Sequence, residues 1–196
     1  VAPKFIIFKN RSGVFNWNTY HSAYSPAQSQ EFNTTNLAEN TGSAMWNSTA
    51  TTSSVFSIGT SGSVNQSSAS IIAYCFAEKK GYSKFGSYTG NGNADGTFIY
   101  TGFKPAMIIT KQTNASGGQW YIYDSVRNEF NLTDKQLFPN LSNAESTGNN
   151  QYDFYSNGFK ARSSNGDTNA SGGTYIYMAF AEQPLVGTNN IPCTAK

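Results

Sequence analysis

Charged side chains are scarce in this chain of 196 residues, where they make up 12% of the sequence, about half of the share in an average soluble domain. Histidine occurs once, as His21, and cysteine twice, as Cys75 and Cys193. A single histidine excludes a histidine-cluster metal site, and two cysteines do not make a disulfide framework. No apolar run approaches the ~18–20 residues of a membrane-spanning helix. The net charge of +2 comes from scattered residues, so no nucleic-acid or membrane partner is expected.

Patterns that carry catalysis are also missing. No Gly-x-Ser-x-Gly motif presents a nucleophilic serine, and no Glu-x-Asp-x-x-Glu pattern offers the paired carboxylates of sandwich-fold glycanases. Glu78 and Glu182 end equivalent strands and are interpreted as solvated. The loop 91–96 (NGNADG) resembles the start of a calcium-binding loop, but Gly102 stands where the bidentate glutamate belongs, so a turn is the better interpretation. We expect no enzymatic activity, no cofactor and no metal.

What the sequence does contain is an internal duplication. PKFIIFK at 3–9 returns as PAMIITK at 105–111, and WNTYHS at 17–22 returns as WYIYDS at 120–125. VFS at 55–57 corresponds to GFK at 158–160, and IIAYCFAE at 71–78 to YIYMAFAE at 175–182. The offset drifts only from 102 to 104. Four anchors in the same order predict two copies, 1–78 and 105–182, joined by a segment 79–104.

Each copy has the composition of β-structure. Short aromatic and β-branched runs, separated by Gly, Asn and Ser clusters, predict strands at 5–9, 17–20, 54–58 and 71–78, and no long amphipathic helix. The segment 79–104 is interpreted as a hairpin around the turn 91–96. About ten to twelve such strands predict an all-β antiparallel sandwich of jelly-roll type. Half-copies would each expose an apolar face, so one domain over 1–184 with a shared core is expected, followed by a tail at 185–196.

Cys75 lies inside the apolar run 71–76 and aligns with Ala179, which predicts a buried thiol in a packed strand. A bridge between Cys75 and Cys193 remains an open alternative. Trp17 and Trp120 are equivalent in the two copies and are interpreted as core residues.

The chain resembles a repeat domain of tail-fibre-like and other virion structural proteins of tailed bacteriophages, especially marine ones. The resemblance extends over about 1–184, and its longest motifs are VAPKFIIFKNRS at 1–12, IAYCFAE at 72–78, GYSKFGSYTGNG at 81–92, YTGFKP at 100–105 and YIYMAFAE at 175–182. It implies a jelly-roll or concanavalin-like sandwich on the virion surface, without catalytic residues. The chain begins at Val1, without the Gly-Leu-Gly segment that precedes the first motif in relatives, so an excerpt or a processed product is expected.

The leading hypothesis is therefore a non-enzymatic structural or adhesive protein of a virion, in a tail fibre, a head fibre or a decoration protein. Other virion proteins are its expected partners, and a homo-oligomer, with a trimer favoured, is expected to form around Tyr82, Phe85 and Tyr88. Exposed aromatic rings stack on sugars, which makes Trp46, Tyr82, Tyr88 and Tyr121 the candidate residues for binding host-surface glycans. The alternatives are a secreted lectin or carbohydrate-binding module, and a glycanase.

Overall fold

The computed structural model describes residues 1–131 and 133–183, and these residues form an all-β protein with three one-turn helices. The contacts divide the chain into two compact units, Val1–Glu78 (unit 1) and Lys79–Lys196 (unit 2). Unit 1 contains β1 (Pro3–Asn10), β2 (Asn18–His21), β3 (Gln28–Glu31), β4 (Glu39–Asn40), α1 (Ser43–Trp46), α2 (Gly62–Asn65) and β5 (Ile71–Ala77). Unit 2 contains β6 (Ser83–Thr89), β7 (Phe98–Tyr100), β8 (Met107–Gln112), β9 (Trp120–Asp124), β10 (Tyr152–Tyr155), β11 (Gly158–Ala161), α3 (Gly166–Asn169) and β12 (Thr174–Phe180).

Unit 2 is a two-layer antiparallel β-sandwich. One layer has the strand order β6-β12-β8-β9, and the other has the order β10-β11-β7. Rings from the two layers meet edge to face, as Phe159 does with Tyr177 and as Tyr123 does with Tyr152. These contacts lie in one buried aromatic cluster to which every strand of both layers contributes. The predicted all-β sandwich is therefore confirmed.

Unit 1 is built on one five-stranded sheet with the order β4-β3-β2-β1-β5. Its buried cluster joins Ile6 and Phe8 of β1 and Tyr20 of β2 to Trp46 of α1 and Val64 of α2. Each unit thus has a buried cluster of its own. The expectation of a single core shared by both copies stays a prediction.

The predicted copies have the same strand register. Ile6 of β1 lies opposite Tyr20 and Cys75, and its aligned residue Ile108 lies opposite Tyr123 and Ala179. The other aligned pairs of β1 with β2 and β5 recur in the same way in β8 with β9 and β12. The duplication remains a prediction, and this agreement of register supports it.

Two predicted elements are wrong in detail. No strand forms at 54–58, which is irregular within the described chain. The segment 79–104 is not a hairpin, because β6 pairs with β12 in one layer of unit 2 whereas β7 pairs with β11 in the other. The turn 91–96 therefore carries the chain from one layer to the other. We call residues 79–104 the connecting segment.

Cys75 is exposed, so the expectation of a buried thiol is wrong. The alignment with Ala179 is correct in register, but Ala179 is fully buried because its side chain lies in the aromatic cluster between the two layers of unit 2. Cys75 lies outside the buried cluster of unit 1, against which only Ile71 and Ala73 of β5 pack. Cys193, its proposed bridging partner, lies outside the described residues.

We expect a thiol reagent to label Cys75 in the native chain within minutes. The rate should be somewhat below that of a free cysteine, because partial desolvation raises the thiol pKa and lowers the thiolate fraction. A Cys193→Ser background isolates Cys75, and Cys75→Ser in that background gives the blank. Labelling only after addition of denaturant would contradict the exposed position.

Candidate functional site

Trp46, the first of the predicted sugar-stacking rings, is buried. It ends α1, where its ring packs against Phe8 with centroids 5.0 Å apart and against Tyr20 at 6.0 Å. Its Nε1–H donates to the carbonyl of Gln28 at 3.0 Å. Only 2% of Trp46 is exposed, so it cannot stack on a sugar from solvent, and its expected binding role is corrected to a packing role.

Tyr88 and Tyr121 are also buried in unit 2. The Tyr88 ring stacks on Tyr175 at 4.9 Å, and its hydroxyl donates to the carbonyl of Thr168 at 2.7 Å. The Tyr121 hydroxyl donates to a carboxylate oxygen of Asp167 at 2.9 Å. These phenols complete the hydrogen bonding of the sandwich interior, so the expectation that they are exposed ligand-binding rings is wrong.

Tyr82 is half-buried and meets Phe180 edge to face at 6.2 Å, so it is the most accessible of the four candidate rings. Phe85, expected with Tyr82 and Tyr88 at an oligomer interface, is buried within the chain as Tyr88 is. The interpretation of Trp120 as core is confirmed, since only 1% of it is exposed. Trp17 is less enclosed and stacks on Tyr74 at 6.5 Å.

The turn 91–96 uses its polar groups internally, as the turn interpretation requires. Asn91 Oδ1 accepts from the backbone of Asn93, and Asn93 Oδ1 accepts from the backbone of Asp95. Asp95 forms an ion pair with Lys160, which lowers the pKa of the carboxyl group. Within residues 1–131 and 133–183, no group of three His, Cys, Asp or Glu side chains could hold a metal ion.

Asn169, at the end of α3, holds this turn in place. Its buried amide donates to Asn91 Oδ1 at 3.0 Å and to the carbonyls of Asn93 and Ser163 at 2.7 and 2.8 Å. Its side-chain oxygen accepts from the backbone N–H of Asn91 at 3.0 Å. One side chain therefore fixes the passage of the chain between the two layers of unit 2.

Lys111 of β8 is a fully buried cation. Its ammonium group donates to the carbonyl of Gly118 at 2.9 Å. Burial lowers the pKa of Lys111 to about 8, and the negative charge of Asp167 works against that shift. Its aligned residue Lys9 likewise donates to a carbonyl, that of Phe15, and lies over the Trp17 ring at 5.8 Å. The recurrence of this contact indicates a structural lysine.

The buried phenols and Lys111 act in opposite directions on stability, and we expect a maximum near pH 10. Between about pH 8 and 10 the unfolded chain holds the Lys111 proton that the folded chain has lost, so stability rises with pH. Burial raises the pKa values of Tyr88, Tyr121 and Tyr123 above their usual range. The stabilisation that these neutral phenols contribute to the free energy of unfolding is complete below about pH 10. It is lost above that pH, where tyrosine ionises in the unfolded chain.

Urea unfolding between pH 7 and 11.5 would measure this curve. Tyr123→Phe should reduce the alkaline slope by up to about 1.4 kcal/mol per pH unit, the value for one proton. Tyr155→Phe is the matched control, because Tyr155 is 38% exposed. Equal slopes in both variants would contradict the assignment.

Unit 1 contains a polar cavity that the sequence analysis missed. It has a volume of about 170 Å³ and lies among β2, β3, β4, α1 and the loop before β4. The residues that line it include Asn18, Gln30, Glu31, Asn36, Leu37 and Glu39. The stretch 28–41 is rich in amide side chains, but it has no motif or spacing that separates a cavity from an ordinary polar loop.

Hydrogen bonds hold the cavity wall in position. The two carboxylate oxygens of Glu31 accept from Asn16 at 2.6 Å and from Asn36 at 3.0 Å. Gln30 is buried, accepts from the Tyr24 hydroxyl and donates to the carbonyl of Asn36 at 2.9 Å. A wall of oriented amide and carboxylate groups can bind hydroxyl groups, because carboxylates accept from them and amides both donate and accept.

Fold and cavity together define an antiparallel β-sandwich protein with a small polar cavity in unit 1. The chain belongs to the family described as Domain of unknown function (DUF7483), which matches residues 1–184. Neither curated proteins nor solved structures gave a match to the chain. No helix among the described residues is long and apolar enough to span a membrane.

Proposed function

We propose that this chain is a non-enzymatic adhesive domain on the surface of a bacteriophage virion, and that the cavity of unit 1 binds one sugar residue of a host-surface glycan. The virion assignment rests on the sequence resemblance over 1–184. The observation that supports the binding role is the amide- and carboxylate-lined cavity.

The cavity fits the chemistry of a sugar ring. Glu31, Glu39 and Asn36 offer oxygens and amide protons to hydroxyl groups, while Leu37 and Met45 offer an apolar contact to ring C–H groups. Its 170 Å³ is well below the ~300 Å³ at which pockets for drug-sized ligands begin. This size favours a single monosaccharide unit over an oligosaccharide.

A one-sugar site binds weakly, so the proposal includes several copies acting together. Linking weak sites makes the second contact intramolecular and raises the overall affinity by a factor of about 10² or more. A homo-oligomer, with a trimer favoured, attached to other virion proteins would supply these copies. Light scattering on the chain, with its flanking virion sequence restored, measures that state, and a monodisperse monomer would contradict it.

Glu39→Gln should weaken glycan binding about tenfold or more, because a hydrogen bond to a carboxylate contributes roughly 1.5–3 kcal/mol and its amide replacement contributes less. Glu39 is exposed, so the substitution should leave folding intact. Glu129→Gln, an exposed glutamate of unit 2, is the matched control. Glycan-array binding by the full chain selects the ligand, and calorimetry with that sugar compares the variants.

Equal affinity of both variants would refute the cavity as the site. Immunoelectron microscopy of purified particles tests the virion assignment separately. Glycan binding by a chain that is missing from particles would favour the secreted lectin or carbohydrate-binding module instead.

A further inference from the structure

Both units contain the same arrangement of three strands, β2-β1-β5 in unit 1 and β9-β8-β12 in unit 2. The two units differ at the outer edge of the third strand, which is β5 in unit 1 and β12 in unit 2. In unit 2, β6 pairs with β12 along seven residue pairs, from Thr174 opposite Thr89 to Phe180 opposite Ser83. In unit 1 the aligned strand β5 is the last strand of its sheet. β6 belongs to the connecting segment, which leads directly into the second copy.

Side chains of the connecting segment also cover the aromatic cluster of unit 2. Tyr88, Ile99 and Phe103 are members of that cluster. In unit 1 the residues at the aligned positions are more exposed to solvent than their counterparts in unit 2. Phe56 is 37% exposed whereas its aligned residue Phe159 is fully buried, and Cys75 is exposed whereas Ala179 is fully buried.

Among the described strands none pairs with the outer edge of β5, and its sequence at 71–75 lacks two features that usually protect an edge strand. Residues 71–75 (IIAYC) contain no charge and no proline, which are the common means of blocking further pairing. Tyr74 on this strand is 45% exposed. An uncharged edge strand with exposed aromatic and thiol side chains can accept another strand through its main chain.

We propose that the edge of β5 at residues 71–75 is a docking surface for one extended strand of a partner polypeptide, which pairs antiparallel with it as β6 pairs with β12. The register in unit 2 specifies this strand. Tyr88 lies opposite Tyr175 and Gly86 opposite Tyr177, and these two residues of β12 align with Ile71 and Ala73. The partner strand therefore carries an aromatic residue opposite Ile71. Opposite Ala73 it has room for a side chain, because the Tyr177 ring that leaves no space for a Cβ atom on Gly86 is replaced there by alanine.

The partner supplies a strand along β5 and not a counterpart of β7. In unit 2, β7 approaches β11 at Gly158, where a Cβ atom would lie 2.2 Å from the carbonyl oxygen of Ile99. Val55 occupies the aligned position in unit 1, and its side chain excludes such an approach. The docking surface is accordingly limited to residues 71–75 of β5, which include the exposed Cys75.

The test extends the full chain at its N-terminus with a second copy of residues 79–104, in a Cys193→Ser background. In unit 2 the same segment directly precedes Pro105, which aligns with Pro3, so the added copy replaces Val1 and Ala2 and joins directly to Pro3. We expect labelling of Cys75 to slow at least tenfold and amide exchange at residues 71–75 to slow by a similar factor. The control extension carries Gly86→Pro in the added copy, since proline cannot donate to the strand ladder.

Equal labelling of the extended chain and the unextended chain would overturn the proposal, as would equal protection by the proline control. A peptide of residues 79–104 added to the unextended chain repeats the test without a fusion, and unchanged exchange at 71–75 would count against the proposal. Light scattering of the unextended chain tests the alternative occupant, which is a second copy of this chain. Self-association that protects Cys75 as concentration rises would assign the edge to a second copy of this chain and overturn the partner strand.

Discussion

Replacing Asn169 by alanine should lower the free energy of unfolding by about 3 kcal/mol. The substitution removes the four hydrogen bonds by which Asn169 holds the turn 91–96 and Ser163, and buried groups that lose a partner cost roughly 1–3 kcal/mol each. Part of that loss is recovered because Asn91 and Asn93 lie at the surface and can bind water.

Asn65→Ala is the matched control for this substitution. Asn65 is the last residue of α2, as Asn169 is of α3, but it lies at the surface and its amide donates to the carbonyl of Gly59 at 2.8 Å. We expect a loss of about 1 kcal/mol for Asn65→Ala in urea unfolding. Equal losses at the two positions would refute the assignment of Asn169 as the residue that fixes the turn.

Trp46→Ala should cost about 4 kcal/mol of stability, which is within the range for a large aromatic residue removed from a core. The substitution leaves a cavity beside Phe8 and Tyr20 and removes the donor to the carbonyl of Gln28. Trp46→Phe keeps most of the packing and loses the hydrogen bond, so about half of the cost is expected. Chemical denaturation followed by far-ultraviolet circular dichroism measures both.

A loss below about 1 kcal/mol for Trp46→Ala would contradict the buried position. It would also restore Trp46 as a candidate sugar-stacking ring. Glycan binding by Trp46→Phe separates the two roles, because a packing residue outside the cavity wall should leave the affinity unchanged.

Most of the predicted strands form because they depend on local patterns, whereas the strand expected at 54–58 does not form. Alternation in 71–78 and 175–182 specifies which side chains share a face, and the duplication aligned Cys75 with Ala179 correctly. Burial could not be predicted in the same way. It depends on what covers the face of the sheet: Ala179 lies in the aromatic cluster between the two layers of unit 2, whereas Cys75 lies outside the buried cluster of unit 1.

The candidate site was harder to predict than the fold. Aromatic residues are typical both of cores and of sugar-binding surfaces, so composition alone could not assign Trp46, Tyr88 and Tyr121, all of which are buried. The cavity residues Glu31 and Asn36 gave no signal, because amide and carboxylate side chains are common in loops. Their arrangement depends on the return of the chain from β3 to β4.

The equal registers of the two units make their strands interchangeable while the protein folds. Since Ile6 and Ile108 accept equivalent neighbours, an unfolded chain can place β1 between β9 and β12, where β8 belongs. Synthesis from the N-terminus delivers β1, β2 and β5 before β8 has left the ribosome, so the native neighbours meet first. Refolding from denaturant presents both sets at once, so we expect strands exchanged between the copies among its misfolded products.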